Sequence, residues 1–323
     1  MTSKTKIWLT TAALLVLTGL IIFGGIMIML KWDFTKLSTI KKYETNEYQI
    51  SEGFTNISVS TKTANLTFVK TDEQNAKVVC HEQKNVSHLI SVNDGTLTVE
   101  LKDKRKWYEY IGFNFESAKI TVYLPADKYG ICTVKTSTGD VELPKDFAFE
   151  SLDVSGSTGD VTCYASATGG IKFNLSTGDI RLESLSAGSF DLTVSTGKIN
   201  AVGISCSGEL KAKVDTGKIN LTDVTCKTLV SDGDTGDMYL KNVIAKERFD
   251  IKRDTGNVSF DCCDAGEIFV TTDTGHVKGT LLSEKVFIPR SKTGKIDVPK
   301  TTSGGVCEIT TDTGNIMINI SPR

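Results

Sequence analysis

The chain has 323 residues with 37 basic and 39 acidic side chains, a formal net charge of −2, and removing residues 1–30 with Lys4 and Lys6 leaves 35 against 39. A strongly basic footprint of the kind that holds a nucleic-acid backbone is thereby excluded. Hydrophobic residues at 39%, charged residues at 24%, 28 Gly and 5 Pro describe a chain that buries a core and uses its glycine in turns rather than in disorder.

In chain order, residues 1–6 form a short tail, and Ile7–Leu30 then carry no charge. At 1.5 Å per residue this stretch is long enough to cross a hydrocarbon core of ~30 Å. Trp8 and Trp32 bracket it, and Lys4, Lys6 and Lys31 stand just outside. The expectation is one transmembrane signal anchor over 7–30. A cleaved signal peptide would have a shorter apolar region, about 7–15 residues, and a small-residue cleavage site. Lys31, Lys36, Lys41 and Lys42 outnumber Lys4 and Lys6, which tilts toward a cytoplasmic domain. Long domains translocate largely regardless of flanking charge, so the rest of the chain is expected outside the membrane. Residues 31–46 read as a polar linker.

Residues 47–134 read as irregular coils, with candidate strands at 57–59, 66–69, 77–80, 89–92, 97–101, 119–124 and 131–134. From 135 to 323 a repeat dominates. Thr-Gly recurs with Thr at 138, 158, 177, 196, 216, 235, 255, 274, 293 and 313, always 19 or 20 residues apart. After each Gly comes one polar residue, then Val, Ile or Met. Positions six and four before the Thr are mostly apolar, which is the period of a strand with one buried face. Extended to the Thr, that parity points its side chain inward at a corner. The Gly makes the bend, and the preceding Ser or Asp caps a backbone N–H two residues on. A coil of this length cannot bury its inner face alone, whereas stacked coils pair every strand. The expected fold is all-β: a single-stranded, right-handed parallel β-solenoid of 19–20-residue coils after one N-terminal transmembrane helix.

Thr63-Ala64-Asn65-Leu66 looks like a worn copy of Thr313-Gly314-Asn315-Ile316. With Ile57-Ser58-Val59, Asp94-Gly95-Thr96-Leu97-Thr98-Val99, Lys119-Ile120-Thr121-Val122-Tyr123-Leu124-Pro125 and the serial Ser-Thr-Gly-Asp-Val units, the chain resembles the bacterial "putative adhesin" domain of unknown function over about residues 45–320. The resemblance implies a β-solenoid on an envelope-anchored protein, with some relatives associated with envelope-stress systems. It implies no catalytic residues.

Asp-Thr-Gly at Asp215, Asp234, Asp254, Asp273 and Asp312 is also the signature triplet of aspartic proteases, but copies on a coil period stack along an edge instead of pairing across a cleft. Asp232, Asp234 and Asp237 offer oxygen ligands for calcium without completing a known calcium spacing. Cys206 and Cys226 fall at one register in neighbouring coils, close enough for a disulfide, although parallel Cβ vectors favour core-filling thiols. His81, His88 and His276 suggest no triad. Arg253 falls on an inward register and reads as a local bulge. Ice binding would need a flat outward Thr array, which an inward Thr column does not supply.

One segment breaks the rhythm. Residues 102–115 join the basic run Lys102-Asp103-Lys104-Arg105-Lys106 to Trp107, Tyr108, Tyr110, Phe113 and Phe115. They read either as a hairpin capping the core or as a recognition loop for an anionic surface, with Lys104, Arg105, Lys106, Trp107 and Tyr110 as the binding residues. No cofactor, metal or catalytic residue is expected. The functional expectation is a non-enzymatic, membrane-anchored interaction scaffold of the cell envelope, with an unknown envelope protein or anionic polymer as partner. A self-assembling structural solenoid and a carbohydrate-polymer-active β-helix enzyme are the alternatives. The chain closes on the strand-like Asn315–Ile320, which suggests an open last coil and end-to-end pairing.

Overall fold

A computed structural model describes residues 3–33, 43–83, 86–103 and 117–321. Helix α1, Ser3–Met29, contains the uncharged stretch. Its polar side chains are satisfied internally, since the Thr10 and Thr18 hydroxyls donate to the Ile7 and Leu14 carbonyls at 2.9 and 2.8 Å. The helix stops where Lys31 and Trp32 adopt φ of +56° and +58°, and the Trp32 N–H donates to the Met27 carbonyl at 2.8 Å. That bond closes a Schellman-type cap. The helix is long and apolar enough to cross a membrane.

Among the described residues, every regular element after the helix is a β-strand. In the regular part, strands at one sequence position pair in parallel with their equivalents 19 or 20 residues away: Ile171 with Phe190, Phe190 with Leu210, Ile199 with Ile219. The chain is a β-solenoid of about ten turns. Ile171, Phe173 and Leu175 face the core before the Thr-Gly corner, Ile180 and Leu182 after it, then Leu185 and Ala187. A second corner, which the sequence pattern does not announce, follows seven residues after five of the Thr, from Thr177 to Thr255. Ser184, Gly203, Asp223, Asn242 and Cys262 stack there with φ between +51° and +63°. Gly, Asn and Asp tolerate this left-handed geometry best, which accounts for most of that column.

The Thr column differs from expectation. Thr138, Thr158, Thr177, Thr196, Thr216, Thr235, Thr255, Thr274, Thr293 and Thr313 are all exposed, and the last inward residue before the corner lies two positions earlier, at Leu175, Val194 or Val214. The alternation breaks one residue before the Thr. From Gly139 to Gly256 the motif glycines hold φ between +131° and +156°, and this backbone reversal sets the next strand's parity.

Each motif Gly also lies against its predecessor. A Cβ on Gly217 would sit 1.7 Å from the Gly197 carbonyl oxygen, and one on Gly236 1.5 Å from that of Gly217. Stacking distance, as well as the bend, demands glycine here. The expected Asx cap is absent among the described residues. Instead, an Asp after the Gly caps a neighbouring coil: Asp140 Oδ1 accepts from Asp160 N–H at 2.9 Å, Asp160 from Asp179 at 2.8 Å, and Asp237 from Asn257 at 2.9 Å. The worn copy joins this ladder, because Ala64 takes the glycine's place under Gly139 and Asn65 Oδ1 accepts from Asp140 N–H at 3.0 Å.

Both ends depart from chain order. At the first end, strand β1 (Tyr43–Ile50) begins inside the expected linker and is followed by β2 (Asn56–Ser60), β3 (Ala64–Lys70), β4 (Ala76–Gln83), β5 (Val86–Asn93), β6 (Thr96–Asp103), β7 (Ala118–Leu124), β8 (Lys128–Thr138) and β9 (Val141–Leu143). The β2–β3 coil is sandwiched: Ile57 pairs with Leu97 on one side and Cys132 on the other, Leu66 with Ile120 and Val141. The β6–β7 coil lies outside it. Strand β5 pairs antiparallel with β6, β4 with β7, and β1 with β4.

The far end mirrors this. Cys307 pairs with Ile268 and Phe287, and Ile316 with Val277 and Ile296, so the last coil lies between its two predecessors in sequence. The open coil expected at 315–320 is instead formed by 285–298. Its strand Lys285–Thr293 carries Pro289, which removes one backbone donor from the edge. The Lys285 ammonium, almost wholly buried, holds the coil to Asp264 at 2.7 Å.

Candidate functional site

Lys104, Arg105, Lys106, Trp107 and Tyr110 lie outside the described residues. Their strand roots are described. Tyr43, where the chain enters the solenoid after the helix, is in register with Gln83, and Thr45, His81 and Lys119 form one row across β1, β4 and β7. The root of the basic–aromatic segment at Ala118 and the entry point at Tyr43 therefore stand about two strand spacings apart, roughly 10 Å.

Along the Thr-Gly corner runs an open groove of ≈ 680 Å³. Thr216, Thr235, Thr255, Thr274 and Thr313 line it, with the motif glycines and Lys218, Asp237, Asn257 and His276. A shallower depression of ≈ 420 Å³ continues the edge toward the first coils, between Thr61, Thr136, Ser155 and Asn174. The acidic edge beside the groove is partly neutralised, Lys213 Nζ lying 3.2 Å from Asp215 and 3.9 Å from Asp232. The hydrogen bond to Asp215 raises the Lys213 ammonium's pKa.

Arg253 is no bulge. It holds the regular register with Thr272 and is 2% exposed. Its guanidinium crosses over Gly233, where a Cβ would meet Nη1 at 1.9 Å, and Nη2 donates to Ser231 Oγ at 2.8 Å. Desolvation lowers its pKa to about 10. Cys206 and Cys226 are free thiols. Burial pushes them up to about 11 and about 12.

Where the sequence suggested no triad, the structure assembles a buried polar cluster at the first end. Glu82 and His88 are 2% and 4% exposed. Glu82 Oε2 lies 2.6 Å from His88 Nδ1 and accepts the His88 N–H at 3.0 Å. His88 Nε2 meets Thr61 Oγ1 at 3.1 Å, and Asn46 Nδ2 donates to Glu82 Oε1 at 3.0 Å. Cys80, wholly buried, is the residue two before Glu82 on β4. The local signal was present: Ala76, Val78, Cys80 and Glu82 alternate onto one face. The pairing of β4 with β7 and of β5 with β6 at the solenoid's end was not legible.

The Toastrack DUF4097 family model matches residues 54–213 and again 204–322, so this chain belongs to that family. No curated protein matches it. Among solved structures it is similar to a "putative adhesin" from Bacteroides fragilis, at 15% identity over 86% of this chain and 98% of that one, with a TM-score of 0.44. A second "putative adhesin", from Parabacteroides distasonis, matches at 11% identity over 74% and 97%, TM-score 0.43. A "putative lipid binding protein" from the same species matches at 17% over 74% and 95%, TM-score 0.33.

Proposed function

We propose that this chain is a non-enzymatic, membrane-anchored interaction scaffold of the cell envelope, with its solenoid outside the membrane and the basic–aromatic segment 102–115 as its recognition element. The observation that carries this reading is the convergence at one end of the solenoid. The chain arrives from α1 at Tyr43, and the segment's root at Ala118 lies two strands away. Basic residues rooted there would gain ~1 kcal/mol each near a surface of anionic headgroups, with Trp107 and Tyr110 adding apolar contact. The rigid, closely stacked coils then carry the Thr-lined groove away from that surface. The test of placement is protease added to intact, wall-free cells. Cleavage of the solenoid or its linker is expected; full protection until lysis, followed by digestion, would reverse the assignment.

A further inference from the structure

We propose that Cys80, Glu82 and His88 form a zinc site that closes the first end of the solenoid. A ligand atom from each lies within 4.8 Å of the other two, and all three residues are buried. A thiolate, a carboxylate and an imidazole are the three side-chain donor types that Zn²⁺ takes. Their outer atoms are already held: Thr61 Oγ1 sits 3.1 Å from His88 Nε2, and Asn46 Nδ2 is on Glu82 Oε1. This leaves Nδ1 and Oε2 turned toward each other, with outer-sphere partners of the kind that orient metal ligands.

The metal-free arrangement leaves two needs unmet. Sγ of Cys80 has no hydrogen bond among the described residues, and the Glu82 carboxylate is buried with no Lys or Arg in contact among them. Zn²⁺ meets both. Its two positive charges match one thiolate and one carboxylate, and ligation of Cys80 Sγ releases the thiol proton to solvent. The 2.6 Å contact between Nδ1 and Oε2 would open to about 3.3 Å to admit an ion ~2.0 Å from each, and a water completes the tetrahedron.

The experiment takes the full-length chain in detergent, stripped with chelator and titrated with Zn²⁺ and with Co²⁺ as the spectroscopic probe. One equivalent is expected to bind and raise Tm. Co²⁺ should show tetrahedral visible bands with a thiolate charge-transfer band that Zn²⁺ abolishes. Cys80→Ala should fold and lose the charge-transfer band. Thr61→Val should keep the band while weakening affinity about 10–100-fold. Absence of the band and of any thermal shift in the unaltered chain would overturn the site. Persistence of the band in Cys80→Ala would also overturn it, placing the metal on another thiol.

Discussion

At the motif corner, glycine is fixed twice, by a φ of +140° at Gly217 and by the Gly197 carbonyl 1.7 Å from any Cβ. Relief of either demand alone is insufficient, so Gly217→Ala should destabilise by about 3 kcal/mol or more in denaturant unfolding. The adjacent Thr216 is exposed, and Thr216→Val or Thr216→Lys should stay within about 0.5 kcal/mol. Arg253 has the opposite sign. Its guanidinium is buried without a carboxylate in contact, and Nε has no partner among the described residues. Arg253→Met keeps the bulk and removes the charge, and should raise stability by about 1–3 kcal/mol. Asp237 supplies a pH dependence. The Asn257 N–H, together with the Tyr239 hydroxyl and the Asn257 amide, holds its carboxyl below the ordinary value. Its contribution is complete above the unfolded carboxylate's range, about 3.9, and is lost as pH falls through the lower folded value. Asp237→Asn keeps the acceptor and should flatten this region of the acid limb, measured as unfolding free energy between about pH 5 and 2.

Among the elements, the ladder of repeated corners was legible because Thr-Gly and the alternation before it are local. The inward reading of the Thr failed for a local reason too: alternation was carried one step past the point where the backbone reverses. The order of coils at the ends was illegible for a different cause. Ile316 meets the same apolar ladder whether it stacks on Ile296 or Val277, and in the structure it does both. Nothing in one coil's sequence names its neighbours. The observed order predicts an inversion in hydrogen exchange. Amides of 307–318, paired on both sides, should be protected longer than those of 285–297, although they lie nearer the chain's last residue. Equal or reversed protection would contradict the sandwiched coil. At the other end, the Cys80–Glu82–His88 cluster needed the antiparallel approach of β4 and β5 to the solenoid, which no repeat-based reading supplies.

At the scale of the molecule, the entry strand β1, the root of the basic–aromatic segment at Ala118 and the buried cluster gather at one end, while the Thr groove runs along the corner. Replacing Lys104, Arg105 and Lys106 with Gln should weaken binding of the full chain to anionic vesicles in excess of that to neutral ones, at unchanged Tm. If Tm falls with binding, those side chains support the core instead. The asymmetry of the two ends also gives the molecule a mechanical character. Among the described residues, β1 is joined only to β4, so tension applied through α1 meets a single row of hydrogen bonds that can break in succession. Residues 307–317 are gripped from both sides, and a pull there must shear two interfaces together. Pulled between α1 and the distal coils, the protein is expected to yield first at β1. Peeling its 8 residues releases ~27 Å of extra tether before the stacked coils come apart.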